Sequence, residues 1–156
     1  GKPPSHIDGH QHVHVFPVIR EAVLTLAAEC DSYVRLCTTP RAVWQRGLAT
    51  PGKALVLNII ARGFDQQPQE RQFRHNPQFF GLHAFNPEAP VAPLYRNWLA
   101  AAKSGCLINC HPSSGLFLED PLASWRQYEH GFLAGSEWPQ MLAEQGCQLS
   151  RLPYTL

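Results

Sequence analysis

The chain of 156 residues predicts an α/β fold in which parallel strands are covered by outer helices. Three observations carry that expectation. Segments of strand and helix character alternate along the chain, as they do in sheets built from βαβ units. The apolar runs Tyr33-Val34-Arg35-Leu36-Cys37 and Cys106-Leu107-Ile108-Asn109-Cys110 lack polar alternation, so they read as strands covered on both faces. Histidines gather where such strands end, with His10 to His14 leaving the first and His111 leaving the fourth. Parallel sheets place their chemistry at the carboxyl ends of their strands.

Taken in order, Lys2-Pro3-Pro4-Ser5 is a loop feeding the densest stretch of the chain, His6-Ile7-Asp8-Gly9-His10-Gln11-His12-Val13-His14. Four of the eight histidines lie here with one Asp, all at even positions. An extended backbone would put His6, Asp8, His10, His12 and His14 on one face, unless Gly9 breaks the strand and resets its facing. Pro17 suits a first helical position, and Val18, Ile19, Ala22, Val23, Leu26 and Ala27 continue at helical spacing to about Glu29. The strand at 33–37 ends at Thr38-Thr39-Pro40. From Arg41 to Phe73 the pattern is helical but interrupted by Gly47, Pro51, Gly52, Gly63 and Pro68. A strand at 79–84, a helix from Val91 to Lys103 stopped by Gly105, and the strand at 106–110 follow. Helices over 123–133 and 138–145 and a last strand, Cys147-Gln148-Leu149, close the set.

A chain of this size forms one domain, residues 1–156, burying roughly two-thirds of its unfolded surface. Net charge +1 gives no electrostatic reason to bind nucleic acid or an anionic membrane, and no apolar run approaches a membrane span. Five cysteines in no close framework, with no secretory pattern, fit reduced thiols in a cytoplasmic protein. The chain starts at Gly1 and enters its densest motif at once, which suggests the later part of a longer protein.

So many imidazoles together suggest a metal site or catalysis, because neutral imidazole ligates zinc and similar ions well. His111, between an apolar strand and Pro112-Ser113-Ser114-Gly115, is placed to act as a general acid or base or to cap its loop. His83 ends a strand and reads as structural, while His75 and His130 read as solvated. Cys106 and Cys110 do not match a zinc-knuckle turn and read as buried thiols. Trp98, Trp125 and Trp138 sit at helical positions and read as core or rim. No Gly-x-Ser-x-Gly elbow or phosphate-cradling loop is present.

Ser5-His6-Ile7-Asp8-Gly9-His10-Gln11-His12-Val13-His14, followed by Phe16-Pro17, closely resembles the signature of the YdjC-like carbohydrate deacetylases, which include chitooligosaccharide deacetylases and hopanoid-biosynthesis relatives. Leu107-Ile108-Asn109-Cys110-His111-Pro112 is similar to that family's late strand. Arg126, Glu129, Leu133 and Gly146-Cys147-Gln148-Leu149 fit its tail. The resemblance implies a distorted (β/α) TIM-like barrel, of which this chain is the C-terminal portion with the first strands missing. It implies removal of acetyl groups from an N-acetylated oligosaccharide or glycan-lipid with a divalent metal, Mg2+ or Zn2+. The family's metal is held by an early Asp-Asp motif and two histidines, of which only His10 falls within this sequence.

On that resemblance, His10 is the metal ligand and His111 the acid that protonates the departing amine. Asp8 and His12 are partners that orient His10, Asp8 standing with His111 in the catalytic group, and His6 and His14 line the same cleft. Two other classes remain open. One is a different barrel metal hydrolase, of amidohydrolase or phosphoesterase type, although Asp31, Asp65 and Asp120 do not sit at strand ends. The other is a non-catalytic metal- or sugar-binding fragment. Missing strands would leave open sheet edges that favour a homo-oligomer.

Overall fold

The computed structural model describes residues 1–38, 51–61, 63–64, 73–86, 88–115, 117 and 119–151. Four short strands, β1 (His6–Ile7), β2 (Tyr33–Val34), β3 (Phe79–Phe80) and β4 (Leu107–Ile108), form two parallel pairs. His6 and Ile7 pair with Tyr33 and Val34, and Phe79 and Phe80 pair with Leu107 and Ile108. A parallel bridge between Val34 and His75 continues from the first pair towards the second. Helix α1 (Pro17–Cys30) connects β1 to β2, and α3 (Val91–Ala101) connects β3 to β4, so each pair is a βαβ unit. Helices α2 (Pro51–Ile60), α4 (Ala123–Ala134) and α5 (Glu137–Glu144) complete the described elements. The fold is mixed α/β with parallel strands, as expected; the described strands make two ladders rather than a closed barrel.

Helix α1 begins with Pro17 at its first turn and ends where Asp31 enters the left-handed region at φ 50°. The Ser32 N–H then reaches back to the Ala27 carbonyl at 2.9 Å, the wrap-around bond of a Schellman cap. That turn delivers Tyr33 to β2, where its N–H meets the Ser5 carbonyl at 3.0 Å. The face α1 buries is narrower than its spacing suggests. Leu24 and Ala27 are buried, while Val18, Ile19 and Leu26 remain exposed.

The same cap explains one missing strand. Gly146 takes φ 63° after α5, and the Cys147 N–H bonds the Leu142 carbonyl at 2.8 Å. With that donor turned into the helix end, Cys147-Gln148-Leu149 runs as coil rather than as the expected last strand. The interrupted helix expected over 41–73 lies partly outside the described residues; within them, Pro51 and Gly52 open α2 instead of breaking it.

The core is aromatic. Trp98, Trp125, Tyr95, Phe64, Phe79 and Phe80 are fully or almost fully buried, and Trp138 packs edge-on against Tyr95 at 5.4 Å between ring centres. This agrees with reading the tryptophans as core and rim. All five cysteines are free thiols, though Cys110 is exposed rather than buried. No helix of the described residues is long and apolar enough to cross a membrane.

Candidate functional site

The histidine stretch is extended only at His6–Ile7, so its five even-numbered polar residues do not share one face. From His10 the backbone coils into a tight 3-10 turn to Val15, and Gln11 and His12 adopt φ values of 49° and 65°. Left-handed geometry at two consecutive non-glycine residues costs about 1 kcal/mol or more each, and such strain concentrates at functional sites. Here it sends successive histidines to different places. His6 is exposed beside Ser5, His10 and His12 line a cleft, and His14 is buried beneath it. His6 and His14, expected to line the cleft, do not.

Arg35 organises the turn from below. Its side chain is buried, and it donates to Asp8 Oδ1 through Nε at 2.9 Å and again through Nη2. Nη1 donates to His12 Nδ1 at 2.7 Å and to Cys37 Sγ at 3.1 Å, and the guanidinium lies 5.1 Å from the centre of the Phe79 ring. A buried cation must be paired and hydrogen-bonded, and this one is. Its carbonyl also accepts from His14 Nε2 at 2.8 Å, while the Gly9 N–H donates to His14 Nδ1 at 3.0 Å. Gly9 is required for that approach, since a Cβ there would lie 2.7 Å from both His14 N and Nδ1.

These contacts set the protonation states. Burial opposes the charge of Asp8, but the hydrogen bonds and charge of Arg35 outweigh it and hold the carboxyl below its ordinary range. Burial, reinforced by the Arg35 charge, pushes His12 down to about 4, so its imidazole is neutral at pH 7. His14 is lowered by burial as well, and burial pushes the Cys37 thiol up to about 12. A neutral His12 that accepts at Nδ1 carries its proton on Nε2 and is a hydrogen-bond donor rather than a metal ligand. Both nitrogens of His14 are engaged. Of the two imidazoles of this stretch that line the cleft, His10 is then the one with a lone pair to offer.

The opposite side of the cleft comes from the end of β4. Asn109 Nδ2 donates to His111 Nε2 at 3.3 Å, and Phe85 meets the His111 ring edge-on at 4.9 Å. Gly81, at φ 111°, lets the Asn109 backbone pass so closely that a Cβ would collide with its carbonyl oxygen. Below, the His111 N–H donates to Glu129 Oε2 at 2.6 Å, and Arg126 Nη1 donates to the His111 carbonyl at 3.2 Å. His111 is also close enough for its charge to act on His12. His83, buried against Trp125 at 4.4 Å, accepts from the Phe85 N–H at 3.2 Å and reaches the cleft wall.

The cleft encloses about 950 Å³. Asp8, His10, His12, Asn109 and His111 make its polar side, and Phe16, Val56, Leu57 and Ile60 make an apolar one. Arg35, Asn109, Glu129 and Tyr95 were not among the candidate site residues. Arg35 had a signal, a charge inside an apolar run. Glu129 had one only as part of the tail pattern of the resemblance, which gave it no role, and Tyr95 had none, because their contact joins helices 34 residues apart. No group of three His, Cys, Asp or Glu able to hold a metal occurs among the described residues. With Asp8 engaged by Arg35, the cleft's own donors do not fit a complete metal site.

These features define a mixed α/β protein with a histidine-lined cleft at its strand ends. Residues 1–144 match the YdjC-like protein family, and the chain belongs to it. No curated protein matches the chain significantly. Among solved structures, a candidate cellobiose-phosphate cleavage protein of Enterococcus faecalis V583 is similar, with TM-score 0.65 and 19% identity. The likeness covers 96% of this chain and 52% of the other, so the chain spans about half the length of that relative.

Proposed function

We propose that the chain forms one wall of a carbohydrate-deacetylase active site that hydrolyses the acetamido group of an N-acetylated oligosaccharide or glycan-lipid. The observation that carries this reading is that the His10–His12 turn and His111 face one cleft in a YdjC-like protein. Amide hydrolysis needs water to attack the carbonyl and a proton for the amine, which leaves poorly without one. His111 suits the proton donor. His12, neutral with its proton on Nε2, suits a donor to the oxygen that gains charge during attack. Asp8 acts through Arg35, fixing the turn that carries both cleft imidazoles.

A divalent ion, Mg2+ or Zn2+, belongs to the same proposal with His10 as one ligand. The described residues do not supply the other donors it needs, and we assign the ion no step. We also propose that these residues belong to a distorted (β/α) barrel in a cytoplasmic enzyme. A phosphorylated disaccharide, suggested by the relative's description, is less favoured. The two arginines of the cleft are already paired, Arg35 with Asp8 and Arg126 with Asp120 at 2.6 Å.

The test is acetate release from N-acetylglucosamine oligomers by the protein with added Mg2+ or Zn2+, with cellobiose phosphate alongside. Metal-dependent acetate is expected. Folded, metal-loaded protein that releases none would end the deacetylase reading.

A further inference from the structure

Glu129 is the most buried charged side chain at the cleft, with no exposed surface, and the roles above make no use of it. Both of its oxygens accept. Tyr95 donates its O–H to Oε1 at 2.7 Å, and the His111 N–H donates to Oε2 at 2.6 Å. An N–H can only donate, so Oε2 accepts here, as it would in an ionised carboxylate. Among the described residues no cation forms an ion pair with it; Arg126, one helical turn earlier, is turned to Asp120 and to the His111 carbonyl. A buried negative charge held only by neutral donors acts strongly on the nearest titratable group. Its reach is visible on both sides: Glu129 adds to the burial that raises the Tyr95 hydroxyl and to the burial that raises the Cys110 thiol.

We infer that Glu129, clamped by Tyr95, is the positioning residue that makes His111 a competent proton donor, fixing its backbone and supplying the counter-charge for its imidazolium. The ring is carried by the residue whose N–H Glu129 grips, so the charge lies close to it. At short range an interior carboxylate favours the protonated imidazole. The described groups facing His111 also include Arg126 on the helix of Glu129, paired with Asp120, His12 on the opposite wall, and uncharged Asn109 and Phe85. Arg126 and a charged His12 would disfavour the imidazolium, whereas a Glu129 carboxylate favours it.

This inference rests on the acid role proposed for His111, but its test does not. The His111 ring is titrated by NMR in the unaltered protein, in Glu129→Gln and in Tyr95→Phe, with thermal unfolding as the fold control. Glu129→Gln should lower the His111 midpoint by about one unit. Tyr95→Phe keeps the charge and removes one of its donors, so the midpoint should rise by a few tenths. An unmoved midpoint in Glu129→Gln, or an equal fall in both variants, would overturn the inference. If Glu129→Gln does not fold, Tyr95→Phe decides alone: a rise supports, anything else overturns. Where acetate release is measurable, its alkaline limb should move with the NMR midpoint. A shifted midpoint in a protein that releases no acetate would sink the deacetylase reading and leave the Glu129–His111 coupling standing.

Discussion

Arg35 Nη1 donates to His12 Nδ1 at 2.7 Å, while the Arg35 carbonyl receives the proton of His14 Nε2 at 2.8 Å. One residue of β2's extension therefore assigns the tautomers of two histidines in the turn after β1. The guanidinium also grips Asp8, so the geometry of the cleft's histidine wall depends on a single side chain.

Arg35→Ala should therefore destabilise the protein by about 2–4 kcal/mol, because it strands hydrogen-bonded groups at a buried centre. Arg35→Lys should recover only part of this, since an ammonium lacks the fork that bonds Asp8 and His12 together. Urea unfolding of both variants checks it. A loss in Arg35→Ala within the range of a surface substitution would show that the network is dispensable.

Stability should fall on mild acidification. His12 is lowered to about 4 in the folded chain, against about 6.5 when unfolded. Between those values the unfolded chain binds a proton the folded chain does not, so stability drops as pH falls from about 6.5 to about 4 and then levels off. His14 is lowered in the same direction. Asp8 acts in a lower window, because its contribution is present above about 3.9 and is lost as pH falls through its lowered folded value. Unfolding at pH 7, 5.5 and 4 should show the first decline, and His12→Gln should flatten it; an identical slope in that variant would refute the assignment.

Gly81→Ala should cost about 2 kcal/mol or more, since the new Cβ meets Asn109 backbone at a φ that L residues avoid. The damage should reach His111 through Asn109, so turnover should fall even at temperatures where the variant remains folded. Thermal melts and acetate release on the same sample test both halves.

If His111 protonates the amine, His111→Ala should lose about 10²- to 10⁴-fold in kcat on an N-acetylated sugar. On p-nitrophenyl acetate, whose leaving group needs no proton, the loss should be much smaller. His10→Ala should abolish turnover on both. Equal losses on the two substrates in His111→Ala would remove the acid role.

The fold was legible where local chemistry decides. Pro17, the helical spacing expected from Val91 to Lys103 and the apolar runs pointed to the helices and the parallel strands, because helix starts and buried strands carry local signals; the helix itself ends at Ala101. The histidine stretch misled because alternation implies a facing only if the backbone stays extended, and here Gln11 and His12 turn left-handed. His111 could be singled out from its place after a strand. Its support could not: Glu129 fits the tail pattern of the resemblance, but its contact with His111 and Tyr95 arises only through the packing of α3, α4 and β4.

The cleft's two sides come from separate stretches of chain. Its polar side is built on the turn after β1 and the end of β4, whereas Val56, Leu57 and Ile60 of α2 join Phe16 on the apolar side, with Val56 56% exposed. On the deacetylase reading, the acetyl bond would be cut by one stretch of chain and the substrate gripped in part by another. Exchange of the α2 segment between relatives would then be expected to change which molecule is gripped while the bond that is cut stays the same.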